Sequence, residues 1–155
     1  MKVFVVFLAL MTVMLSFAAY AADLDAYVKM QTRLKYLAED CAAAAALSVD
    51  PESYSLGLTV IDRRRAEDVS DLLLEKAMST PVFGEAMLAS EMVIFDDEKG
   101  YSGCEAYGLV PGVPSVVFTV TREGGDLFRL PFSELRVFSR TAAYQWDDSL
   151  TSFEH

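Results

Sequence analysis

From Val3 to Ala22 the chain runs for 20 consecutive residues without a charge. Only Lys2, Thr12 and Ser16 of the first 22 residues are not hydrophobic. As an α-helix this run would extend about 30 Å, the thickness of a bilayer's hydrocarbon core. No water-soluble domain of this size hides such a segment easily, so whatever follows must fold around or beside it. The run accounts for much of the 53% hydrophobic content, which is high for a chain with a net charge of −10. All 23 acidic residues, and 12 of the 13 basic ones, come after Ala22.

Two readings compete for the first segment. Ala19-Tyr20-Ala21 fits the small-x-small pattern that precedes signal-peptide cleavage, which would release a secreted or periplasmic binding module after Ala21. The apolar run is longer than the roughly 7–15 residues of a signal's central region, and this favours a retained anchor at 1–22. Lys2 before the run and the acidic residues Asp23 and Asp25 after it place the N-terminus in the cytoplasm and the rest outside.

Residues 23–50 read as the same helix continuing out of the membrane. Leu24, Tyr27, Met30, Leu34, Leu37, Ala38, Cys41 and Ala45 fall on one side of a 100° wheel, while Asp25, Lys29, Arg33, Glu39 and Asp40 fall on the other. Asp25 with Lys29 and Lys35 with Glu39 have the i,i+4 spacing of surface ion pairs. No glycine or proline interrupts Val3–Asp50, residues 42–46 are all alanine, and Pro51 ends the element. The small residues Ala38, Ala42 and Ala45 suit close contact with either a neighbouring helix or the chain's own domain.

The head, 51–145, reads as α+β. Asp62 is placed to cap a helix from Arg63 to Met78, with Ala66, Val69, Leu72, Leu73 and Ala77 on its buried side. The cations Arg63-Arg64-Arg65 then form a solvated helix start that pairs with Glu67 and Asp68. Strands are expected at 91–96, 115–121, 126–132 and 135–139, with Gly124-Gly125 as a hairpin turn in positive φ. Residues 101–114 are too irregular to assign. The stripe on residues 24–45 is the natural cover for one face of this sheet. The acidic tail 146–155 is expected to fray.

The apolar span, the helical run Tyr27–Tyr36 and Leu34-Lys-Tyr-Leu-Ala-Glu-Asp-Cys-Ala-Ala-Ala-Ala-Ala-Leu47 resemble pilin-like proteins, among them the TadE-like proteins of tight-adherence (Tad) pilus systems. The resemblance covers the first third of the chain. It implies a pilin-like fold and a structural role as an accessory or minor subunit. The implied partners are other pilin-like subunits and the proteins of a pilus, secretion or conjugation platform. The chain departs from the pilin pattern in having no glutamate between Val3 and Ala22, and Lys2 is its whole basic leader.

Chemistry is sparse. The only histidine is His155, no GxSxG elbow is present, and Ser70, Ser102 and Ser115 have no histidine to activate them. A hydrolase using carboxylates alone is the weakest of the readings considered, and no catalytic residue or cofactor is expected. The acidic balance opposes nucleic-acid binding. Asp96-Asp97-Glu98 lacks the alternating carboxylates of a calcium loop and reads as a solvated turn. Cys41 and Cys104 are the two cysteines; they either form a disulfide in an oxidising compartment or stand as independent small residues.

Overall fold

The computed structural model describes residues 2–81, 83, 86–126 and 135–146. Its dominant element is α1, Lys2–Ala46, a single 45-residue helix that measures about 68 Å from end to end. The absence of glycine and proline and the alanine run at its end explain its continuity. Its two halves live differently. Nearly every side chain from Lys2 to Ala22 is exposed, whereas Met30, Leu34, Ala38, Cys41, Ala42, Ala45 and Ala46 are buried.

Past Ala46 the chain is clamped rather than simply stopped. Val49 and Ile61 form an isolated antiparallel bridge. Around it the Asp50 N–H donates to Val60 O, and the Asp62 N–H to Ser48 O, both at 2.8 Å. Between these arms sits α2, Pro51–Ser55, with Pro51 at its start and Asp50 capping it through the Ser53 N–H. Pro51 thus opens a new turn as well as following the old helix. Asp62 caps α3, Arg63–Met78, by accepting from the Arg65 N–H at 3.2 Å, and Arg63 pairs with Glu67 at 2.7 Å.

Three antiparallel strands follow: β1 Met87–Phe95, β2 Ser115–Glu123 and β3 Val137–Gln145, in the order β1-β2-β3. Val117 lies opposite Val93 on one side and Ala143 on the other. Alternation along β2 sends Val116, Phe118 and Val120 toward the helices, where they join Met30, Leu34, Ala38, Cys41, Leu74 and the Ala45–Ala46 end of α1. Val117 points the other way, into a second cluster with Phe95, Cys104 and Leu109. The irregular stretch 101–114 therefore has a structural job. Its 3₁₀ turn, Cys104–Tyr107, covers the reverse face of the sheet near the β2 start.

Several expectations are corrected. Leu24 is 44% exposed, while Asp23 is 3% exposed. The buried line through Met30, Leu34, Ala38 and Cys41 extends back along steps of three and four to Tyr27 and Asp23, and Leu24 lies one residue off it. On α3 the buried line is Ala66, Ser70 and Leu74, and Leu72 is exposed. The i,i+4,i+8 row turns Leu72 to the opposite side, and the small Ala66 lets α3 approach Ala45 and Ala46. Gly124 and Gly125 do not make a two-residue hairpin and are not among the positive-φ glycines. Glu123 is opposite Val137, so 13 residues separate the paired strands. Gly124 is instead a site of close approach, since a Cβ there would lie 2.8 Å from the Ala86 Cβ. The strand expected at 126–132 falls almost entirely outside the described residues, and β1 and β3 already occupy both edges of β2. Residues 147–155 also lie outside them, but Trp146 is held in place: its N–H donates to Pro114 O at 2.8 Å and its ring meets Tyr54 edge-on.

Leu34 is 0% exposed at the centre of the helix–sheet contact. Leu34→Ala is expected to cost about 3 kcal/mol of head stability, and Leu24→Ala less than about 0.5 kcal/mol. Urea unfolding followed by Trp146 fluorescence separates the two; equal losses would refute the stripe assignment.

Candidate functional site

Two regions carry the molecule's unexplained surface: the bare half of α1 and a groove at the opposite end of the head. Among the described residues, α1 is the one helix long and apolar enough to cross a membrane, and its apolar stretch is not buried in the head. Such a helix serves either as a membrane span or as a signal segment. The Thr12 hydroxyl donates to Leu8 O and the Ser16 hydroxyl to Thr12 O, both at 2.9 Å. Both polar side chains are thereby satisfied inside the helix, as a hydrocarbon environment requires.

A polar collar marks where the head begins. Tyr27 meets the Phe138 ring edge-on at 6.0 Å, and Gln31 bonds to both Tyr27 and Arg140. Nearby, the Arg122 guanidinium lies 5.8 Å from the centre of the same Phe138 ring and donates to Gly125 O. Burial lowers the Arg122 pKa. On the outer surface of α1, Asp25 pairs with Lys29 at 2.6 Å and Lys35 with Glu39 at 3.5 Å. The alanines Ala38, Ala42 and Ala45 are 0% exposed and already packed within the head. They are therefore not available to a neighbouring helix.

The cysteines lie apart. Both are buried and free. Cys41 packs with Phe118 and Val120 on the helical face of β2, whereas Cys104 packs with Val117 on the reverse face. The sheet lies between them, which removes the disulfide reading. Burial, and then the charges of Asp40 and Asp71, push the Cys41 thiol up to about 11. In the folded chain iodoacetamide at pH 8 is expected to leave Cys41 and Cys104 unmodified, and in urea to modify both. Mass spectrometry of a non-reducing digest reads the result, and a Cys41–Cys104 peptide would overturn it.

Residues 97–99 form the expected exposed turn, closed by the Asp96–Gly100 bridge, but Asp96 itself is not solvated. Asp96 is 0% exposed and accepts the Ile61, Glu98 and Lys99 N–H groups at 3.1, 3.2 and 2.8 Å. Asp97 accepts the Thr59 N–H at 2.8 Å and the Tyr101 hydroxyl at 2.7 Å. Together they tie the segment after α2 to the end of β1. Among the described residues no group of three or more His, Cys, Asp or Glu side chains is arranged to hold a metal. Tyr101 holds the Asp97 pKa below its ordinary value, with help from the Thr59 N–H, and Ser53 does the same for Asp50. A lowered carboxylate pKa stabilises the fold above the unfolded value of 3.8, and that stability is lost as pH falls through the folded value. The melting temperature is therefore expected to drop as pH falls below 3.8, with a shallower drop in Asp97→Asn. Thermal melts across the acid range check both, and an unchanged slope in the variant would exclude Asp97.

Beyond this tether, at the end of the head where α1 finishes, three loops and the end of β3 enclose a groove of about 1020 Å³. Tyr54, Asp97, Val113, Pro114, Gln145 and Trp146 line it. Tyr54 and Trp146 meet edge to face, with centroids 6.1 Å apart. Gln145 is positioned by its Nε2, which donates to Val110 O at 3.1 Å. No pattern in the sequence pointed to this groove, because its walls come from separate stretches at 54–59, 97, 110–114 and 145–146.

No family model, curated protein or solved structure matches the chain.

Proposed function

We propose that the protein is a membrane-anchored, pilin-like accessory or minor subunit of a Tad-type pilus or of a related secretion or conjugation apparatus, with a structural role. The supporting observation is the division of labour along α1: one unbroken helix whose first half is bare and apolar and whose second half covers an antiparallel sheet. A bare apolar helix needs lipid or other helices around it, and here the packed half fixes it to the head. Lys2 before the span and the acidic surface after it support a cytoplasmic N-terminus and an extracytoplasmic head. In this reading the apolar half packs among like helices in the membrane while the acidic head faces outward.

The second reading, a secreted or periplasmic binding module cut after Ala21, draws on Ala19-Tyr20-Ala21 and on the groove in the head. The two differ in the mature N-terminus and in location. For the anchored subunit, the mass of the chain starts at Met1 and the protein stays in the membrane fraction after a high-salt wash. A cysteine introduced at exposed Ser139 reacts with a membrane-impermeant maleimide in intact cells. Photocrosslinks from Leu8 or Leu15 reach pilin-like subunits or a secretion-platform protein. A soluble product beginning at Ala22 would sink the anchor, and crosslinks to lipid alone would sink the assembly role.

A further inference from the structure

The groove beside Tyr54 and Trp146 has features that the anchor does not use. Tyr54 is 55% exposed, and its ring stands edge-on to the Trp146 indole. The Tyr54 hydroxyl and the indole N–H have no hydrogen-bond partner among the described residues. Gln145 commits its Nε2 to Val110 O, which leaves Oε1 as an acceptor. The Asp97 carboxylate is fixed by Thr59 and Tyr101, one bond to each oxygen, and each oxygen keeps accepting capacity. Val113 and Pro114 add apolar surface to the lining. The groove thus combines aromatic surface, an apolar wall and fixed polar groups within a volume suited to a small ligand.

Charge narrows the ligand. Among the described residues the lining contains a carboxylate and no lysine or arginine, which disfavours phosphates and acidic sugars. A wholly apolar ligand would strip water from Asp97 without replacing its hydrogen bonds. A neutral saccharide meets both demands. The C–H face of a sugar ring covers an aromatic face, and its hydroxyls donate to the carboxylate and the amide oxygen while accepting from the indole N–H. We infer that this groove is a binding site for a neutral saccharide, presented at the end of the head remote from the apolar half of α1.

Trp146 is the chain's only tryptophan, so its fluorescence reports on this groove alone. The full chain, held in a zwitterionic detergent without a sugar headgroup, is titrated with neutral tetrasaccharides built from glucose, mannose or N-acetylglucosamine. A tetrauronate and a proline-rich peptide serve as comparisons. At least one neutral tetrasaccharide is expected to give a saturable change in Trp146 emission with a Kd on the order of 1 mM or tighter. Tyr54→Ala and Gln145→Ala are each expected to weaken it about tenfold, and Ser139→Ala, on the open sheet surface, to leave it unchanged. Thermal melts confirm that the variants are folded. The inference is overturned if no neutral tetrasaccharide saturates the signal, if the tetrauronate binds as well, if only the peptide binds, or if folded Tyr54→Ala and Gln145→Ala bind like the parent. None of these outcomes bears on whether α1 is retained in a membrane.

Discussion

The contact between the second half of α1 and the inner face of β2 organises everything else. Leu34, Ala38 and Cys41 meet Phe118 and Val120, all of them buried, and α3 closes the same core through Leu74. A three-stranded sheet needs a hydrophobic cover on at least one face to be stable. Here the cover is a helix that began 20 residues earlier as an apolar rod. The alanines at its end bring the backbone close enough for Ala66 and Ile61 to pack, which anchors the loop carrying α2.

The tether through Asp96 and Asp97 is the second organising element. Two adjacent carboxylates take five donors from two segments of chain, 59–61 and 98–101, fixing the residues after α2 against the end of β1. Fixed carboxylates of this kind set loop geometry without a metal, because each backbone N–H they accept would otherwise need water or another partner. The distal groove is a product of that arrangement, since Asp97 is shared between the tether and the groove wall.

Long-period patterns made much of this architecture legible. The unbroken helix, the cap at Asp62, the alternation along β2 and the ion pairs on α1 all follow from local rules, and each is found in its expected place. Failures cluster where a choice depended on distant partners. Leu72 looks like core on composition, yet the face that meets α1 is chosen by small residues, so Ser70 is buried instead. Gly124-Gly125 is a strong local turn signal, and pairing between β2 and β3 overrides it. The separation of Cys41 from Cys104 could not be read from spacing, because it depends on which face of the sheet the 101–109 loop covers.

The unbroken backbone of α1 also has a mechanical consequence. With no glycine, proline or kinked turn between the apolar rod and the head, the two cannot reorient independently. Placed in a bilayer, the rod would adopt a tilt set by membrane thickness and neighbouring helices, commonly about 20°. The packed half, about 36 Å long, would swing its far end sideways by about 12 Å for that tilt. Membrane thickness would then be converted into the direction in which the distal loops point, and the head would act as the pointer of a lever whose short arm is in lipid.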